Sequence, residues 1–192
     1  AVVLGSGLGR EPGAGEFLRA RVGSLAAPTG LDADGLGGLD GRLELVAERD
    51  GPTILTPHEG EMARLLGSSS EQVAASRLDS ALTLARQTGA LAVLKGDDTI
   101  VTDGERVAVN RLPAPGLATA GTGDVLAGVC GALLARGLGP FEAACAAVHA
   151  HTRAGRVAAS RIGSAEGVIA GDVVAAMPAA LTPGTDGGRG VE

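Results

Sequence analysis

Short aliphatic runs, glycine-rich breaks and amphipathic stretches follow one another along this chain, an order that predicts strand, loop and helix in repeated succession. Ala1-Val2-Val3-Leu4 reads as a strand running into Gly5-Ser6-Gly7-Leu8-Gly9, with a helix around Glu16–Val22. Leu31–Gly41 is polar and glycine-rich, and Leu43–Ala47 suits a weak helix or strand. Thr53-Ile54-Leu55-Thr56 predicts a short strand halted by Pro57. A helix over Glu61–Leu66 then sets Met62, Leu65 and Leu66 on one face. Ser68–Ser70 reads as a loop, and one helix over about Glu71–Thr88 brings Val73, Leu78, Leu82 and Ala85 near helical spacing before Gly89 ends it.

Leu91-Ala92-Val93-Leu94 has the pattern of a buried strand ended by Lys95-Gly96. Thr99–Thr102 and Arg106–Asn110 flank Asp103-Gly104, a pair suited to positive φ, and predict a β-hairpin. From Asp124 the period turns helical through Val125, Leu126, Val129, Leu133 and Leu134 until Gly137. Pro140 suits a helix start, Phe141–Ser160 supplies a long Ala-rich helix, and a last one covers about Asp172–Leu181. The expected class is α/β, a mostly parallel sheet flanked by helices with a small β-hairpin around 99–110. One domain is expected over residues 1–181, followed by a disordered tail over residues 182–192.

Composition sharpens this picture. With 192 residues, 45% hydrophobic and 20% charged, one domain with a sizeable core is expected. Two Phe and no Tyr or Trp leave the core to aliphatic side chains and remove the aromatic platforms on which single-stranded nucleic acid stacks. The formal charge of −6, without a Lys/Arg cluster, likewise argues against a nucleic-acid partner. An anionic ligand therefore needs local help, from helix N-termini or a divalent cation. Cys130 and Cys145 cannot staple a fold of this size, which points to a reducing cytoplasm. No window approaches the ~20 apolar residues of a membrane span, and no signal segment opens the chain, so a soluble protein without a membrane partner is expected. The direct start in an apolar strand reads as an interior starting point of a larger domain.

The strongest chemical signal is Ala120-Gly121-Thr122-Gly123-Asp124 before an amphipathic helix. Glycines let the backbone turn its N–H groups onto a ligand, and the helix N-terminus adds roughly half a positive charge. Asp124 suits either an N-cap or a base beside a bound phosphate, and on spacing alone a plain capped turn fits equally well. Lys95-Gly96-Asp97-Asp98-Thr99 follows a strand and offers an ammonium and a hydroxyl where α/β folds bind ligands. In Thr56-Pro57-His58-Glu59-Gly60-Glu61, His58 projects toward the same sheet edge; the bland alternative is an ordinary helix start. His149 and His151, in an Ala-rich helix, are expected to pack or face solvent. Gly5–Gly9 is a weak dinucleotide fingerprint, with Arg10 where the sixth-position glycine belongs. A P-loop is absent, as is metal-ligand spacing of Cys or His, so metal ligands stay unassigned.

Taken in order, these clusters, with Leu31-Asp32-Ala33-Asp34 and the continuation Val125-Leu126-Ala127-Gly128, resemble the ADP/ATP-dependent NAD(P)H-hydrate dehydratases of the ribokinase-like superfamily. The resemblance extends to about Leu181. It departs at Ser6, where the family usually has Pro, and at Gly35, where Ala is usual. It implies a repair reaction: the hydroxyl of hydrated NADH or NADPH is phosphorylated by ADP or ATP with Mg²⁺, phosphate leaves, and the reduced nicotinamide is restored. The high-GC style of composition favours ADP. Carried over by residue, Gly7, His58 and Asp124 would contact the hydrated dinucleotide, with Asp124 the general base. Lys95, Gly96, Asp97, Asp98, Thr99 and Gly123 would hold the adenine nucleotide, and the N–H groups of Gly121, Thr122 and Gly123 would stabilise the moving phosphoryl. A homo-oligomer is the expected assembly, and a fused or partner epimerase domain accompanies many relatives. A ribokinase-like small-molecule kinase and a silent nucleotide-binding module share the same loop logic and stand as alternatives.

Overall fold

Residues 1–9, 11–39 and 41–182 are described by a computed structural model. Six strands form one sheet in chain order: β1 (Val2–Leu4), β2 (Thr29–Leu31), β3 (Thr53–Leu55), β4 (Leu91–Leu94), β5 (Thr99–Thr102) and β6 (Val107–Asn110). The pairs from β1 to β4 are parallel, whereas β5 runs antiparallel to both neighbours. The mostly parallel α/β sheet and its terminal hairpin are those expected from the sequence. At the hairpin turn, the Asp103 carboxylate accepts from the N–H groups of Glu105 (3.1 Å) and Arg106 (2.8 Å).

Period-two alternation divides the central strands between two helical layers. Leu55, Ala92, Leu94 and Ile100 face a core built with α1 (Pro12–Ser24), α4 (Glu59–Leu66) and α6 (Arg77–Thr88). Their neighbours Ile54, Leu91, Val93 and Val101 face α7 (Thr122–Ala135) and α8 (Pro140–Ile162). The last helix, α9 (Ala170–Leu181), packs on α8 through Ala154, Ala158, Val173 and Ala176. Alanines buried on α8 allow this close helix packing without aromatic filler.

Several expectations on element boundaries are corrected. The stretch read as polar and glycine-rich from Leu31 opens on the end of β2, a fully buried strand that the sequence pattern does not announce. Three residues, one of them glycine, are too few to display a period, and only the neighbouring strands reveal the burial. Leu43–Ala47 resolves as the short helix α3 (Glu44–Ala47), after α2 (Asp34–Gly37). α1 begins at Pro12 rather than Glu16, because proline is preorganised for a first helical turn. The single helix expected over Glu71–Thr88 is two: α5 (Ser70–Ala75) ends at Ser76, whose φ of −140° and ψ of 49° break the helix before α6. That break resets the helical phase. The buried stripe of α6 is Ala81, Leu84, Ala85 and Thr88, and Leu78 is exposed. The helix expected from Asp124 starts at Thr122. Beyond residue 182, the expected tail lies outside the described residues.

Leu84 has no solvent exposure and sits in the core between α6 and the sheet. Leu84→Ala removes its branch from packing that cannot fully collapse, so it is expected to destabilise the fold by about 2–5 kcal/mol. Urea denaturation checks this through a lower midpoint with an unchanged slope.

Candidate active site

The parallel strands end along one edge, and the sheet's hydrogen bonding continues past them. The Asp32 N–H donates to Leu4 O, Thr56 N–H to Leu31 O (both 3.1 Å) and Lys95 N–H to Pro57 O (2.8 Å). Three residues from three distant segments, each the first after its strand, thus come to the same edge of the sheet. Their side chains close on one another: Thr56 Oγ1 and Lys95 Nζ each donate to Asp32 Oδ1 at 2.7 Å. Glu61 Oε2 lies 3.7 Å from Lys95 Nζ. Asp32 is 1% exposed, and in that enclosure an ammonium and a hydroxyl take the place of its water.

Close backbone approach builds this corner. Gly5 has a φ of 149°, and a β-carbon placed there would stand 1.7 Å from Asp32 O, so only glycine fits. Ala33, next to Asp32, has a φ of 48° and ψ of −121°, a strained conformation for a residue with a β-carbon that costs about 1–3 kcal/mol. The bonds Gly35 N–H to Asp32 O (2.8 Å) and Leu36 N–H to Ala33 O (3.0 Å) hold it there. Sequence reasoning gave Asp32 and Ala33 no role; the buried charge and the strain are what distinguish them.

His58 begins α4. Its Nδ1 accepts from the N–H groups of Gly60 (3.0 Å) and Glu61 (3.3 Å), while its own N–H donates to Glu61 Oε2 at 2.8 Å. This reciprocal cap fixes both Glu61 and the imidazole. Arg77, at the start of α6, pairs with the Glu59 carboxylate and donates to the carbonyls of Lys95 (3.2 Å) and Asp98 (3.0 Å). The loop after β4 is thereby tied to α4 by one guanidinium.

On the far side, Gly121 takes the left-handed conformation, φ 84°, that turns the chain into α7. The Thr122 hydroxyl is committed to the carbonyls of Leu117 (2.6 Å) and Thr119 (2.7 Å), and the Thr122 N–H to Thr119 O (3.3 Å). The next N–H groups, of Gly123 and Asp124, lie in the first helical turn, which has no carbonyl within the helix to receive them. Asp124 is exposed and accepts from Ser6 Oγ at 2.6 Å, so the residue that departs from the family pattern bridges the Gly5–Gly9 loop to α7.

Two cavities flank this assembly. One, of about 670 Å³, is lined by Gly9, Asp34, His58, Glu61, Arg19 and Arg64 among others. The second, of about 590 Å³, is lined by Lys95, Gly96, Asp97, Asp98, Thr99, Thr122, Gly123 and His151 among others. Lys95 and Glu61 touch each other yet line different cavities, so the charged cluster forms the wall between them. Asp124 and Gly7 line neither cavity; Asp124 stands where the loop of the first meets the helix of the second. His151 is buried at 7% exposure. Burial pushes its imidazole down to about 4, the Lys95 charge adding to the effect and the Thr122 backbone opposing it. His149 is exposed.

A model of the NAD(P)H-hydrate dehydratase family matches residues 1–178. The chain belongs to this family. It is 41% identical over 187 residues to the ADP-dependent (S)-NAD(P)H-hydrate dehydratase of Neisseria meningitidis, covering 92% of this chain and 61% of that protein. With the bifunctional NAD(P)H-hydrate repair enzyme of Salinibacter ruber it shares 44% over 166 residues, 85% of this chain and 30% of that enzyme. Its fold superposes on the ADP/ATP-dependent NAD(P)H-hydrate dehydratase of Bacillus subtilis, co-crystallised with ATP/Mg²⁺ and soaked with CoA. There the TM-score is 0.80 at 27% identity, covering 93% of this chain and 64% of that one. The chain thus spans less than two thirds of each of these relatives. The architecture is ribokinase-like, as the sequence resemblance implies. Of the positions carried over from the family motifs, the structure gathers Lys95–Thr99 with Thr122 and Gly123 around the second cavity and sets His58 in the first.

Lys95→Met would leave Asp32 buried without the ammonium that neutralises it. We expect a loss of about 3–5 kcal/mol, part of which Asp32→Asn restores in the double variant. Guanidinium titrations of the four proteins measure it.

His151 binds its proton more weakly folded, near 4, than at its ordinary value of 6.5. The unfolded chain therefore takes up more protons between those values, so the stabilisation is complete above pH 6.5 and is lost as pH falls toward 4. Stability is expected to drop across this window by on the order of 3 kcal/mol more than in His151→Gln. Urea unfolding at stepped pH gives the comparison.

Proposed function

We propose that this chain carries the dehydratase active site of a nicotinamide-nucleotide repair enzyme. It would use ADP, or ATP, to convert hydrated NADH or NADPH, (S)-NADHX or (S)-NADPHX, to NADH or NADPH, releasing AMP (or ADP) and phosphate. The observation that carries the reading is the pair of cavities divided by the Lys95–Asp32–Glu61 wall, with Asp124 at their junction. A reaction between a dinucleotide and a nucleotide suits two neighbouring pockets with a carboxylate between the elements that line them. The names of the Neisseria meningitidis and Bacillus subtilis relatives support the same chemistry, and we favour ADP.

In this mechanism, the hydrated dinucleotide lies along His58 and the Gly5–Gly9 loop, and the adenine nucleotide along Lys95–Thr99. Asp124 takes the proton from the substrate hydroxyl as its oxygen forms a bond to the terminal phosphorus, and the bond from that phosphorus to the bridging oxygen breaks. Such base assistance is worth ~10²- to 10⁴-fold in rate. The N–H groups of Gly123 and Asp124, with the positive end of α7, meet the charge on the phosphoryl oxygens. The phosphate ester then leaves with its carbon–oxygen bonding pair, a ring proton is lost from the adjacent carbon, and the nicotinamide double bond is restored. His58 and Arg77 position the loops and exchange no proton.

Among the described residues, no three His, Cys, Asp or Glu side chains converge as a metal cage. Magnesium, which keeps much of its water and favours phosphate oxygens, therefore fits as part of the nucleotide complex and supplies charge neutralisation there. No described helix is long and apolar enough to cross a membrane, and both cysteines are free, which supports action in the cytoplasm. A homo-oligomer and an epimerase partner belong to the same reading, the latter supported by the bifunctional name of the Salinibacter ruber relative.

Incubating hydrated NADH with ADP, Mg²⁺ and the protein is expected to restore the nicotinamide absorbance and release inorganic phosphate. Absence of recovery sinks the dehydratase reading, and a stable phosphoester product assigns a kinase instead. Asp124→Asn is expected to bind ADP nearly as well as the parent while losing at least ~10²-fold in turnover. Equal turnover removes Asp124 from the mechanism.

A further inference from the structure

Within the second cavity, one polar atom has no work in the fold. His151 reaches the cavity from the middle of α8, and its side chain is 7% exposed. Its Nε2 is the one buried side-chain nitrogen or oxygen among the described residues that lacks a hydrogen-bond partner. Its neighbours in the lining fare differently: Thr152 Oγ1 accepts from Asn110 Nδ2 at 2.8 Å, and the Thr122 hydroxyl is bonded to the backbone. A buried polar atom left unpaired is costly, and such atoms persist mainly where a ligand or water completes them. The imidazole also keeps bad company for a proton. Desolvation and the Lys95 charge hold it neutral at neutral pH, so one ring nitrogen carries hydrogen and the other a lone pair.

We propose that His151 is a nucleotide-binding residue, whose Nε2 accepts a hydrogen bond from a ribose hydroxyl of the adenine nucleotide in the second cavity. This inference rests on the nucleotide reading given above and adds a residue outside the loops that carry it. The placement favours the ribose–phosphate portion over the base, because the same lining brings Thr122 and Gly123, at the positive end of α7, and Lys95 to this part of the cavity. The remaining charged groups around the cavity are Asp97 and Asp98 on the loop after β4 and Arg111 after β6. Arg111 Nε lies 3.7 Å from Asp98 Oδ2, so those two are engaged with one another.

Calorimetric titration of the whole chain with ADP and Mg²⁺ tests the proposal. His151→Phe keeps a flat ring of similar size but no hydrogen-bonding atom. It is expected to raise the ADP Kd roughly 10-fold, the scale of one lost hydrogen bond, while the ligand-free melting temperature holds or rises. His151→Gln, which restores a polar atom, is expected to recover much of the affinity. In the parent, the histidine ring ¹⁵N signal that disappears in His151→Gln should shift on adding ADP; with three histidines in the chain, it can be assigned by that loss. Should His151→Phe fail to fold, the ring signal decides: a shift on adding ADP supports the role of His151, and an unmoved signal overturns it. Unchanged Kd values with an unmoved ring signal overturn the role of His151 and leave the nucleotide reading intact. A parent that binds no ADP overturns both.

Discussion

A carboxylate enclosed as deeply as Asp32 has to be given a cation and a donor in place of its water, and the architecture of this edge follows from that requirement. Lys95 and Thr56 answer it with bonds of 2.7 Å each. Both can do so only because β2, β3 and β4 are parallel neighbours whose hydrogen bonding runs one residue beyond their ends. The close pass of Gly5 over Asp32 O and the unusual backbone of Ala33 are consequences of the same crowding. Strain of this kind survives where surrounding contacts over-determine it, and here four segments do.

Once that corner is fixed, the placement of the cavities needs few further parts. Glu61 touches Lys95 from α4, and His58 locks α4 by capping it, so the wall of the first cavity is set by the same ion cluster that bounds the second. Arg77 completes the frame from the break between α5 and α6, holding Glu59 and the carbonyls of the loop after β4 together. The break at Ser76 thus has a use: a continuous helix would present another residue, in another phase, at this point.

Much of this was legible in the sequence. Aliphatic runs, glycine breaks and the Asp103-Gly104 turn gave the strands, the hairpin and the helical layers, because each is a local preference that burial then reinforces. Lys95, Gly123 and His58 stand out in the sequence because they follow strand ends or open helices, the places where such folds put ligands. What escaped had no local signature. β2 is too short for a period, the helix break at Ser76 shows only in its backbone angles, and Asp32, though part of a family motif, acquires its burial and partners only where the strands enclose it. His151 escaped for the same reason, since a histidine in an alanine-rich helix is distinguished only by the cavity that the remainder of the fold creates beside it.

The charges at the site impose an order of duties that no single motif expresses. Lys95 resembles a phosphate-binding lysine in the sequence, yet its ammonium is held by Asp32 and approached by Glu61, two carboxylates to one cation. The cluster's one ammonium is therefore shared between two carboxylates, in a chain of net charge −6. Beside that shared charge, an anion at this edge meets dipoles: the N–H groups at the start of α7 and the turn that Gly121 permits. Ser6 has a matching duty on the acidic side, since its hydroxyl occupies one oxygen of Asp124 and leaves the other open. Lysine and aspartate, the two residues most suggestive in the sequence, are thus both restrained by partners. Beside that shared ammonium, the groups of the described residues still open to a ligand include backbone N–H groups, one carboxylate oxygen and one imidazole nitrogen.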